Sequence, residues 1–180
     1  MRGKALVVTE PGRVELTETD VAEPRGMDVL VRTEACGICM GEAHTFTGKL
    51  KPRYPALMGH EGVGTIVSIG EQVVSLKPGD SVTTLGGPAL AEYYRTVGGR
   101  AAKVPEGVEK PWLWVSEPVA CAVNGARGAN VEIGDDACVV GCGYMGLLLL
   151  QAPPRSHMGT LIAVDVDDEK LILAKRFGPR

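Results

Sequence analysis

The sequence predicts a mixed α and β fold, with an antiparallel β-sandwich or barrel over roughly the first hundred residues and the opening of a parallel sheet at the end. Three observations predict it. Residues before about 100 fall into short β-rich runs punctuated by glycine and proline, the pattern of strands joined by tight turns. Past Pro111, apolar residues recur at helical intervals. From Asp136 onward, buried-strand segments alternate with helical ones, the order of a βαβα unit.

In chain order, the strand runs are KALVV, VELTE, DVLVRTEA, GVGTIVSIG, DSVTTL and AEYYRTV, separated by turn signals at EPG (10–12), EPRG (23–26) and KPGD (77–80). Met40 to Phe46 is the one short helix expected among them. WLWVSEPVACAVNGARGA then reads as a connecting helix that ends in a glycine-rich stop. ACVVGCGYMGLLLLQ reads as a buried strand, a glycine-rich turn and a helix halted by Pro153 and Pro154. LIAVDV is a second buried strand and DDEKLILAKRF a second helix, with Asp167 and Asp168 placed to cap it.

At 180 residues the chain has room for one well-buried core and part of a second. Its net charge of -3, with both signs interspersed, offers no broad basic face for nucleic acid or anionic lipid. Small molecules are the expected partners. The apolar stretch at the N-terminus is cut short by Glu10 and Pro11, and no later run approaches a membrane span, so a cytoplasmic protein is expected. Five cysteines, at positions 36, 39, 121, 138 and 142, make an odd and sparse set. They read as reduced thiols or metal ligands rather than a disulfide framework.

Gly141, Cys142, Gly143, Tyr144, Met145 and Gly146 satisfy GxGxxG between a predicted strand and a predicted helix. In that context the first glycine permits the tight turn, the second admits a pyrophosphate to the backbone, and the third lets helix and strand pack closely. Free N–H groups at the helix start then meet the phosphates. Asp165 ends the next strand, where a carboxylate accepts from ribose hydroxyls and repels a 2′-phosphate. NAD is therefore expected over NADP. The competing reading is a glycine-rich turn that only packs a helix on a sheet.

CGIC at 36–39 is ambiguous alone: half a zinc site, a redox pair, or two small buried residues. GHEGVG and, much later, SEPVAC add an imidazole and carboxylates from separate segments. Three scattered protein ligands with one open position make a catalytic zinc site, whereas a structural one closes four. Each residue also has a plain reading: His60 and Glu61 as polar loop residues, Glu117 as a capping acid, Cys39 as a small buried hydrophobe.

CGICMGEAH, GHEGVGTIVSIG, LKPGDSV, EPVACAVNGA, VVGCGYMG and LIAVDVDDEKLILAKRFG, in this order along the chain, resemble the medium-chain zinc-containing alcohol dehydrogenases, and most the branch with sorbitol and threonine dehydrogenases. The resemblance implies a GroES-like β-barrel catalytic domain over 1–130 and a partial Rossmann coenzyme-binding domain over 131–180. It implies one catalytic Zn2+, held by Cys39 and His60 with Glu117, while Glu61 exchanges with water at the metal. Glu42 matches an acid that orients the liganding imidazole, and Cys121 a position that faces the nicotinamide of NAD. The implied reaction is oxidation of a secondary alcohol or polyol to a ketone, or the reverse.

Two departures stand out. Where the family's proton relay has a serine or threonine, this chain has Gly41, though His44 matches the relay's outer histidine. The family's four-cysteine loop has no counterpart after GDSV, so no structural zinc is expected. His157 matches nothing and reads as a surface loop residue. Only the first half of a nucleotide-binding fold is evident, so the chain alone is expected to turn over weakly or not at all. A homo-oligomer is possible in the full-length family and doubtful for such a fragment. The alternatives are a non-catalytic zinc-binding fragment and a zinc-free oxidoreductase of the quinone reductase type.

Overall fold

The computed structural model describes residues 1–152 and 158–178, and His157 with the Pro153–Pro154 stop lies outside them. Two compact units emerge, Met1–Glu117 and Pro118–Arg180. The boundary expected near residue 130 lies at the far end of the helix that opens the second unit.

The first unit contains β1 (Arg2–Glu10), β2 (Arg13–Asp20), β3 (Asp28–Gly37), α1 (Met40–Phe46), β4 (Ala56–Leu57), β5 (Glu61–Ile69), β6 (Ser81–Leu85), β7 (Tyr93–Val97) and β8 (Ala101–Lys103). All six strand runs and the short helix stand where the sequence puts them. Both sheets are antiparallel, one in the order β7-β3-β5-β6-β8 and the other β2-β1-β4. An Ala5–Ala91 bridge links them. Val29, Val31, Ile66, Val82 and Tyr94 bury their side chains together in the core of the larger sheet. Burying one such aliphatic side chain is worth about 1.5–3 kcal/mol.

Two pairings position the candidate site. Strands β3 and β5 align Gly37 opposite Glu61, so the residues just after β3 lie beside those just before β5. Cys39 and His60 are those residues. The 58–60 segment is then tied to the 86–90 loop through Gly86 N–H to the His60 carbonyl (2.8 Å), Ala89 N–H to Gly59 (3.0 Å) and Leu90 N–H to Met58 (3.0 Å). Further along, Ser116 N–H donates to Thr83 Oγ1 at 3.2 Å, which pins the chain to β6 one residue before Glu117.

In the second unit, α2 (Glu117–Gly128) leads to β9 (Ala137–Val140), α3 (Tyr144–Leu149), β10 (Leu161–Val164) and α4 (Asp168–Lys175). The connecting helix therefore starts at Glu117 rather than at Trp112, where Pro111–Leu113 forms a single 3-10 turn. Pro118 explains the correction. It has no N–H to give to a carbonyl one turn back, so it fits only the first turn of a helix and forbids one that runs through it. Strands β9 and β10 are parallel, and Cys142, Leu150 and Ala174 form the buried centre beside Val139, Leu161 and Ala163. Asp167 caps α4 by accepting from Glu169 N–H at 3.0 Å. Among the described residues no helix is long and apolar enough to cross a membrane.

Candidate functional site

Cys39 is the N-cap of α1, and Glu42 sits three residues on, facing inward with only 8% of its surface exposed. Its two oxygens do different work. One accepts the Cys39 backbone N–H at 3.0 Å and the other contacts His60 Nδ1 at 2.7 Å. A carboxylate can only accept, so this contact places the imidazole proton on Nδ1 and leaves the Nε2 lone pair free. That is the tautomer a metal-binding histidine needs.

On the other side of the ring, Glu61 Oε1 lies 3.9 Å from Nε2. Burial and then the neighbouring Glu117 push the Glu61 carboxyl up, His60 pulls it down, and Glu42 adds to the rise. Acids converging on one imidazole repel each other unless a cation joins them. Cys39, Glu42 and His60 bring ligand atoms within 4.8 Å of one another, and so do His60, Glu61 and Glu117. Three of the expected ligands, His60, Glu61 and Glu117, thus form one triad, while the fourth, Cys39, shares a second triad with His60 and the orienting acid Glu42. His44, in the last turn of α1, belongs to neither.

Cys36 behaves differently from Cys39. Its half-buried thiol points to the Gly37 carbonyl (3.2 Å), and burial pushes it up to about 11. At pH 8 its thiolate fraction should be about a hundredfold below that of an ordinary cysteine, since each pKa unit is a factor of ten. Iodoacetamide mapped by mass spectrometry should therefore label exposed Cys121 and Cys138 well before Cys36. Equal labelling at pH 8 would contradict this. No disulfide forms among the five cysteines.

Gly37 was not singled out from the sequence, yet a side chain there would run into the Glu61 carboxylate directly opposite. The only signal was a glycine at a strand end, which often marks a close approach.

The glycine-rich turn lies between β9 and α3. Gly141 has φ 97°, a left-handed conformation suited to glycine, and a Cβ on Gly146 would strike the Gly141 carbonyl. Around Gly143 there is open space, while Tyr144 and Met145 are exposed at the start of α3. Asp165 accepts from Cys142 N–H at 2.6 Å and Asp167 N–H at 3.0 Å, with Lys170 Nζ 3.9 Å away. The Cys142 bond foremost holds its carboxyl below the usual range, burial opposing and the other two assisting. Lys170 also escaped the sequence reading, although its i,i+3 spacing from Asp167 (3.4 Å) was visible there. Cys121 is exposed on α2.

Residues 25–108 match the alcohol dehydrogenase GroES-like domain. An S-(hydroxymethyl)glutathione dehydrogenase of Escherichia coli O1:K1 is 28% identical, over 99% of this chain and 63% of its own length. A putative zinc-binding dehydrogenase from Sinorhizobium meliloti 1021, solved with NADP, superposes with a TM-score of 0.85 at 25% identity, covering 99% of this chain and 60% of that one. Residues 25–108 are thus a GroES-like domain of the alcohol dehydrogenase type, and the chain as a whole resembles the medium-chain alcohol dehydrogenases. Among solved dehydrogenases, an Escherichia coli CFT073 alcohol dehydrogenase complexed with NADH gives a TM-score of 0.87 at 25% identity, with 99% and 61% covered. The chain spans 63% of the length of the curated dehydrogenases it matches first.

Within this dehydrogenase fold, Glu42 is the side chain that fixes both Cys39 and His60. In Glu42→Gln a single carbonyl oxygen must replace two acceptors, so one N–H would face an amide N–H. Any zinc held by Cys39 and His60 should then bind about 10- to 100-fold more weakly, as for other partners of liganding histidines. Competition against a chromophoric chelator measures it, and a change within twofold would show Glu42 to be dispensable.

Proposed function

We propose that the chain carries the catalytic zinc site and the first half of the coenzyme site of an NAD-linked alcohol dehydrogenase that interconverts secondary alcohols and ketones. One observation carries the reading. Glu42 holds the His60 proton on Nδ1 and leaves Nε2 available, and the thiol of Cys39 and the carboxylates of Glu61 and Glu117 bring ligand atoms within 4.8 Å of a His60 ring nitrogen. Sulfur, imidazole and carboxylate donors are the set that zinc takes.

Cys39, His60 and Glu117 would hold the ion, with Glu61 beside it. Zinc bound there would act as a Lewis acid that lowers the pKa of an alcohol oxygen. The chain's own groups do the rest. Glu42 fixes the ring tautomer and the Cys39 backbone, and Gly37 leaves the Glu61 carboxylate its place. Gly41 offers no hydroxyl, so the alcohol proton would leave through solvent or toward His44.

For the coenzyme, Gly141, Gly143 and Gly146 would admit the pyrophosphate to the start of α3, with Tyr144 and Met145 flanking it. Asp165, kept anionic by its donors, would accept from the adenosine ribose and oppose a 2′-phosphate. NAD is the coenzyme this favours, and Cys121 would face its nicotinamide end.

The test is metal analysis of the chain purified without chelators, with titration of NADH and NADPH by fluorescence. One zinc per chain and tighter binding of NADH are expected. Absence of zinc after reconstitution would remove the dehydrogenase reading, and a preference for NADPH would remove the role given to Asp165.

A further inference from the structure

Beside His60 runs a cleft of about 440 Å³. Leu50, Pro52, Ala56, Leu57, Met58 and Pro88 form most of its wall, together with Gly41, Gly59 and Gly87. A Cβ added to Gly41 meets nothing within 4 Å, so this glycine widens the cleft rather than relieving a clash. Cys39, Glu61 and Glu117 are not on this wall. The polar side chains on it are three, Glu42, Thr45 and His60. Glu42 is already engaged, with both oxygens accepting from Cys39 N–H and His60 Nδ1. Thr45 is buried, and its carbonyl accepts from the Tyr54 hydroxyl at 2.8 Å.

We propose that this cleft selects alcohols with an apolar substituent, aliphatic or aromatic, over polyhydroxylated ones. The inference rests on the zinc-alcohol reading of the adjoining triads and departs from the polyol expectation that the sequence resemblance suggested. A polyol needs donors and acceptors spaced along its chain to replace the water it gives up. The other side chains of this wall present carbon. The extra hydroxyls of a polyol therefore gain nothing on entry. By contrast, each methylene that leaves water for an apolar wall tightens binding about fourfold, so a ring or a chain of three to four carbons gains well over tenfold.

Saturation-transfer NMR on the zinc-loaded full chain measures this without turnover. The probes are benzyl alcohol and cyclohexanol against glycerol and sorbitol, on wild type and on Gly41→Leu, which fills the open space at that position. Zinc content is measured on every sample. Expected are dissociation constants at least tenfold lower for benzyl alcohol and cyclohexanol, and a loss of tenfold or more in Gly41→Leu with zinc content unchanged. Zinc bound with glycerol or sorbitol equal or tighter, or with no probe bound at all, overturns the apolar assignment and leaves the dehydrogenase reading intact. A chain that takes no zinc yet still prefers the apolar probes upholds the cleft and overturns the dehydrogenase reading. Neither zinc nor probe bound overturns both.

Discussion

His60→Ala should all but abolish zinc binding, with an affinity loss of about a hundredfold or more. Closed zinc sites hold their ion by roughly 10–16 kcal/mol over four ligands, so one ligand accounts for about 3 kcal/mol. His60 belongs to both triads, so no other arrangement of the site survives its removal. Cys39→Ser is different in kind, because it leaves His60, Glu61 and Glu117 together. Its loss should be smaller than that of His60→Ala, and Glu117→Gln should lose a comparable amount if one ion draws on both triads. Atomic absorption after dialysis, with a chelator competition for the affinities, reads all three. Full zinc retention in His60→Ala would place any metal elsewhere and end the proposed mechanism.

What made this centre legible in the sequence was the chemistry of its side chains. Thiol, imidazole and carboxylates recur at intervals too long for one local motif, and helix Met40–Phe46 was readable from the residues, while the part of its acid Glu42 came from the family resemblance. What was not legible depends on cross-strand registry. The opposition of Gly37 and Glu61 follows from how β3 pairs with β5, bulges included, and no local pattern encodes that. The division into two triads has the same origin. Strands β4 and β8 span only two and three residues, too short for an alternating pattern to register. Pro118, by contrast, was in plain view. The helical spacing of WLWVSEP looked persuasive, but a missing donor outranks periodicity.

Tyr94→Ala should be the most damaging core substitution for the first unit. The ring is fully buried, and its hydroxyl shares a 2.8 Å hydrogen bond with Thr84, itself fully buried. Truncating a buried aromatic to alanine costs about 3–5 kcal/mol, to which the stranded Thr84 hydroxyl adds about 1–3 kcal/mol unless it turns wholly to the Gly62 carbonyl, 3.4 Å away. The thermal midpoint should drop on the order of 10–20 °C. Tyr94→Phe keeps the ring and should cost only about 1–2 kcal/mol. The damage should also reach the proposed metal site. The Tyr94 hydroxyl packs so closely on Gly62 that a Cβ there would collide with it, and Gly62 follows Glu61 directly on β5. Without the ring, the start of β5 loses its support from below, so zinc affinity should weaken even at temperatures where Tyr94→Ala remains folded, while Tyr94→Phe should bind as wild type does. Calorimetry gives the first number and chelator competition the second. A folded Tyr94→Ala with unchanged zinc affinity would mean that the β3–β5 pairing alone holds the site.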